Sequence, residues 1–142
     1  VFRQAALKAL DTLSRNPDGF FLMIEGSNID KSAHSNNLEE MMEELLDFDR
    51  TAGAVLDWAS KHPGTLVVIT ADHNTGAFAL TGGSREKGEK TARFGSGSHD
   101  GVAVPVYAFG AGSGDFTGIY ENTDIFNKIM NALKKGADKP VR

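Results

Sequence analysis

Two apolar runs constrain this chain more than any other feature. "FFLMIE" (20–25) and "TLVVITA" (65–71) are continuous, without polar residues at alternate positions. A strand with one wet face alternates, whereas a strand buried on both faces does not. Both runs therefore read as strands of a sheet covered on its two faces. A third run, "VAVPVYAFG" (102–110), carries Pro105, which puts that strand at an edge or the proline near its start. Between the runs, apolar residues recur at helical spacing over 2–14, from Leu38 to about 61, and over about 123–135. The order helix, strand, helix, strand, strand, helix predicts an α/β fold: a largely parallel sheet flanked by helices. The 142 residues, 40% of them hydrophobic, suffice for one domain with a core. "NPDG" (16–19) predicts a type I turn. Residues 81–98, "TGGSREKGEKTARFGSGS", predict a flexible polar loop.

Polar residues gather at the exits of the strands, where open α/β sheets place their ligands. Glu25 ends the first run, and Asp72 and His73 follow the second. Asp30 and His34 are four apart, so a short helix turns both to one side. A carboxylate and an imidazole so placed make half of a tetrahedral zinc site. His99 lies among glycines in "GSGSHDG", where the backbone can approach a site closely. Each residue also has a structural reading. Asp30 can serve a helix dipole, "ADH" can cap a helix, and His99 can be a loop residue. His62 reads as a cation at a helix C-terminus, and Met41 and Met42 as core. The co-occurrence of acids and histidines at strand ends favours a metal.

Composition narrows the partners. With no cysteine, any metal must be held by His, Asp and Glu, and disulfides are excluded. A net charge of −4 gives no electrostatic reason to expect nucleic acid or an anionic membrane. No apolar run approaches the ~18 residues of a membrane span.

"GFFLMIEGSNIDKSAHSNN", "DFDR", "TLVVITADHNTG" and "SHDGVAVPVYAFG" together resemble the later part of an alkaline phosphatase, over about residues 1–134. The resemblance implies an enzyme with two Zn²⁺ and one Mg²⁺ that hydrolyses phosphomonoesters through a phosphoserine. It implies Asp30, His34 and His99 as ligands of the first zinc, Asp72 and His73 of the second, and Glu25 of the magnesium. Lys31 falls where relatives tune phosphate and metal affinity. The resemblance also implies a periplasmic or secreted setting and, for the intact protein, a homodimer. It leaves His99 without a physical placement. Either its loop crosses the sheet edge, or the strand after it runs antiparallel.

The family's nucleophilic serine follows an aspartate, and no Asp–Ser pair occurs here. The expectation is a C-terminal portion of an alkaline phosphatase. The serine, the phosphate-clamping arginine and other magnesium ligands would lie upstream, in an N-terminal part that is this chain's partner. The chain alone is expected to be inactive. Two other readings compete: a related metal-dependent phosphomutase or phosphodiesterase, and a non-catalytic zinc-binding domain.

Overall fold

The computed structural model describes residues 2–137. The helices are α1 (Phe2–Leu13), α2 (Ser27–His34), α3 (Leu38–Ala59) and α4 (Asp124–Ala137). The strands are β1 (Leu66–Thr70), β2 (Asn74–Thr75), β3 (Ala79–Ser84), β4 (Glu89–Arg93), β5 (His99–Asp100) and β6 (Val106–Gly110), with a 3₁₀ turn at Ser113–Phe116. The chain is α/β, as expected. It forms two compact units. One unit comprises residues 1–23, 51–70 and 105–142, and the other residues 24–50 and 71–104.

The first unit follows the apolar pattern. Ala6 and Leu10, one helical turn apart on α1, are buried, as are Ala59 and Phe116. Burying side chains of the size of Leu10 stabilises a fold by about 1.5–3 kcal/mol each. The predicted turn forms before the first apolar run. Gly19 N–H donates to Asn16 C=O at 3.1 Å, and Asp18 N–H to Asn16 Oδ1 at 3.2 Å. Strand β1 pairs antiparallel with β6, from Leu66 opposite Gly110 to Thr70 opposite Val106. Pro105 precedes β6, where its missing N–H costs no ladder bond. His62 is structural. Its ring stacks on Trp58 at 3.7 Å, and its Nδ1 lies 2.7 Å from Trp58 C=O.

The expected largely parallel sheet is not seen in the described residues. Among the described residues all three strand pairings, β1–β6, β2–β5 and β3–β4, are antiparallel. A continuous apolar run carries no information on strand direction, and here it does not mean burial on both faces: Phe21 and Met23 are exposed. "FFLMIE" forms no strand among the described residues. It does show the period of a strand, with Phe20, Leu22 and Ile24 partly buried and Phe21, Met23 and Glu25 exposed. Among the described residues it has no ladder partner.

The second unit is built on small and polar residues. Gly26 joins Glu25 to α2, and a Cβ there would stand 2.8 Å from the Phe48 ring. Only glycine lets the start of α2 lie against α3 at that point. Asn36, in the left-handed region at φ 54°, turns the chain after α2. Asn37 then caps α3: its Oδ1 accepts from Glu40 N–H at 3.2 Å, and its Nδ2 donates to Glu40 Oε2 at 3.0 Å. Of the two methionines read as core, Met41 is buried, at 6% exposure, and Met42 is only partly buried. The segment expected as a loop from residue 81 instead carries the hairpin β3–β4, with a register irregularity between Leu80 and Gly82. Helix α4 runs to Ala137, slightly past the expected end near 135.

Candidate metal centre

Helix α2 presents Asp30 and His34 one turn apart, and their side chains meet: His34 Nε2 lies 3.4 Å from Asp30 Oδ2. The β2–β5 pairing brings the third residue. Its register sets His99 opposite Thr75 and Asp100 opposite Asn74. His99 Nε2 thereby comes within 3.0 Å of His34 Nε2 and 3.7 Å of Asp30 Oδ1. The short pairing with the "DHNT" segment answers the question His99 raised. Strand β6, which follows it, does run antiparallel to β1.

His73 joins the same cluster. Its ring stacks on that of His99 at 3.5 Å. Ligand atoms of Asp30, His73 and His99 all lie within 4.8 Å of one another. Asp72, with an exposed side chain, sits 3.3 Å from His73 Nε2. Asp30 and His99 therefore stand between two histidines, His34 and His73. Glu25 is exposed and is not among the groups that converge within 4.8 Å. Lys31 is exposed, and its ammonium donates to Asn28 Oδ1 at 3.3 Å.

The surroundings aim these ligands. His34 Nδ1 lies 2.8 Å from Gly97 C=O, an acceptor only, so Nδ1 carries the proton. In the neutral ring Nε2 then keeps its lone pair and points at His99 and Asp30. Asp30 Oδ1 accepts the Thr75 hydroxyl at 2.6 Å. That bond, more than the nearby histidines, holds the Asp30 carboxyl below its ordinary range, against the opposing effect of desolvation. Asp100 braces the other strand. It accepts from Asn74 Nδ2 at 2.9 and 3.1 Å, from Ala77 N–H at 2.9 Å and from Val102 N–H at 3.0 Å. Its carboxyl is held low first by the Val102 bond and then by Asn74.

This donor set fits zinc. Imidazole nitrogens and carboxylate oxygens, with no thiolate, are its ordinary ligands outside cysteine sites. Two Nε2 atoms at 3.0 Å, one held as a lone pair, call for a proton or a cation between them.

Thr75, Gly97 and Asp100 are functional supports that the sequence reading did not single out. Thr75 had a signal: it stands two residues after His73, and residues at that spacing share a side of an extended segment. Asp100 had a weaker one, the Asx bond to the amide two residues on. Gly97 contributes only a carbonyl and leaves no trace in sequence.

The family model for alkaline phosphatase matches residues 2–94. Alkaline phosphatase 4 of Bacillus subtilis (strain 168) is 30% identical, over 94% of this chain and 44% of the relative. The solved alkaline phosphatase of the Antarctic bacterium TAB5 superposes with a TM-score of 0.86 at 39% identity, over 94% of this chain and 40% of that one. A mutant of the TAB5 enzyme with Mg bound in its M3 site gives a TM-score of 0.85 at 38% identity, over 94% and 41%. The chain thus spans less than half the length of these relatives. By the match of its sequence and of its fold, the chain belongs to the alkaline phosphatase family.

Proposed function

We propose that this chain supplies the zinc-binding part of a phosphomonoester hydrolase, the remainder of whose active site lies in other residues of the polypeptide. The convergence of Asp30, His34 and His99 within 3.0–3.7 Å carries the reading. In it, Asp30, His34 and His99 hold the first Zn²⁺, Asp72 and His73 hold the second, and Glu25 serves a Mg²⁺. Two zinc ions, when bound, supply Lewis-acid stabilisation of the attacking and leaving oxygens of an in-line phosphoryl transfer.

The chain's own residues do the rest of their work by holding positions and charge. His34, its Nδ1–H held by Gly97 C=O, offers Nε2 in a fixed direction. Asp30, kept ionised by the Thr75 hydroxyl, offers a carboxylate at every pH where a phosphatase would work. Asp100 fastens the His99 strand to the "DHN" segment, so ligands distant in sequence hold their spacing. Lys31, exposed at the same helix, would meet an anionic substrate at the rim. The nucleophile is a serine outside this chain, and turnover passes through a phosphoserine on it. A periplasmic or secreted homodimer completes the reading.

The test joins this chain to the full-length polypeptide and follows hydrolysis of p-nitrophenyl phosphate with Zn²⁺ and Mg²⁺. His34→Ala and Asp30→Ala should each remove at least ~100-fold of the turnover, through loss of metal-held stabilisation, and lower the zinc content. Normal zinc content and normal turnover in both variants would refute the assignment. The isolated chain should show no turnover above a zinc blank.

A further inference from the structure

The hydroxyl of Thr75 lies between two of the cluster's ligands. Its Oγ1 is 2.6 Å from Asp30 Oδ1 and 3.1 Å from His73 Nδ1. The residue is 8% exposed, so water does not easily replace either bond. The direction of the two bonds is forced. An ionised carboxylate only accepts, so the single hydroxyl proton goes to Asp30. The Thr75 oxygen then has only lone pairs to offer His73, and His73 Nδ1 must bring the proton. The run is therefore His73 Nδ1–H to Thr75 Oγ1, and Thr75 Oγ1–H to Asp30 Oδ1.

We propose that Thr75 is a positioning residue that fixes His73 as the Nδ1–H tautomer and locks it to Asp30, leaving His73 Nε2 as the metal-binding atom. A histidine ligand needs its other nitrogen held by an acceptor if its ring is to keep one orientation. For His34 a backbone carbonyl does this. For His73 the acceptor is a hydroxyl that is itself anchored on another ligand. The arrangement ties the residue assigned to the second zinc to a ligand of the first. Filling one position therefore orders the ligand of the other. One group opposes it: Asp72 lies 3.3 Å from His73 Nε2 and would draw a proton there, but its side chain is 85% exposed and competes through solvent. This inference rests on the metal reading above for its consequence, and on the hydrogen bonds alone for its cause.

Three forms separate the roles: wild type, Thr75→Ser, which keeps the hydroxyl, and Thr75→Val, which keeps the shape and removes it. Long-range ¹H–¹⁵N spectra of the metal-free chain are recorded at about pH 9, above the ordinary histidine range. His73 should be Nδ1–H in wild type and Thr75→Ser, and Nε2–H in Thr75→Val, where Asp72 is the remaining acceptor. Zinc affinity, read by competition with a chromogenic chelator, should stay within about three-fold for Thr75→Ser. It should fall by roughly 10–100-fold for Thr75→Val, as supporting bonds to metal ligands usually do. Wild-type His73 found as Nε2–H overturns the proposal, whether or not the valine variant folds. So does equal zinc binding by all three forms without a tautomer change, and that result leaves the metal reading standing. A tautomer change in a chain that binds no zinc does the reverse: it upholds the grip of Thr75 on His73 and sinks the metal reading.

Discussion

The two units of this chain are held together by different chemistry. The unit of residues 1–23, 51–70 and 105–142 buries Ala6, Leu10, Ala59 and Phe116, with Thr51 as its one buried polar residue among those described, and carries the five-residue ladder β1–β6. The unit of residues 24–50 and 71–104 buries Ser32, Ala33, Met41 and Thr75, and its β2–β5 ladder is two residues long. In the first, apolar area makes the structure. In the second, beside the longer β3–β4 hairpin, polar side chains clamp the two-residue β2–β5 pairing. Core packing tolerates any apolar filling of about the right volume. A clamp of directed bonds fails when one atom changes, and a metal centre needs that directionality.

The largest expected effect tests the apolar unit. Phe116→Ala should cost about 3–5 kcal/mol of stability, as large-to-small changes in cores do. It should leave the His34 and His73 ring signals in place up to the unfolding transition. A denaturant titration followed by those signals checks both. Loss of the histidine arrangement under native conditions would break the contrast. His34→Ala is the converse. It should lower zinc affinity by at least ~100-fold, since a ligand and not a support is removed, with the far-ultraviolet circular dichroism unchanged. Zinc retained at wild-type affinity, or general loss of helix, would count against it.

Asp100→Ala comes next. The expected result is faster amide exchange at Ala77 and Val102, whose N–H groups bond to that carboxylate, with the β1–β6 amides unaffected. Exchange that accelerates equally on β1 and β6 would mean that Asp100 supports the whole chain and not one short ladder. The smallest effect lies in the apolar unit, where one polar contact stands out. Lys135 Nζ bonds Asp115 Oδ2 at 2.8 Å, and this bond and its charge hold the Asp115 carboxyl below its usual value. A carboxyl lowered in the folded state contributes stability above the ordinary carboxylate range, and loses it as pH falls through the lowered value. Lys135→Ala should return Asp115 toward 3.8 and remove that part of the acid dependence. A ¹³C carboxyl titration that does not move would discount the pair.

The contrast also explains what was legible in sequence. Helices α1, α3 and α4 were readable from apolar residues at helical spacing, and strand β1 from a continuous apolar run. Asp30 with His34 stood out because a four-residue spacing sets them on one side of a helix, and Asp72 with His73 because they fall at the end of an apolar run. The direction of the sheet was not, because pairing depends on how the connections run. The β3–β4 hairpin was hidden by its own exposure: Glu89–Arg93 is charged, nearly all of the hairpin faces water, and no apolar alternation marks it. His99 reached the site list through resemblance alone. Its placement rests on a two-residue pairing with Asn74 and Thr75, too short for any pattern to announce.

Consider finally the bond from His34 Nδ1 to Gly97 C=O. The acceptor is a peptide carbonyl, which all twenty amino acids provide. No side-chain exchange at position 97 can delete it. What an exchange can do is push: a Cβ on residue 97 would sit 3.1 Å from the His34 carbonyl oxygen, tight enough that the chain must yield by a few tenths of an ångström. The proton on His34 is thus governed by the route of the backbone. Drift in the loop can erode it only by degrees, whereas a single base change at Thr75 can strip His73 of its counterpart at once.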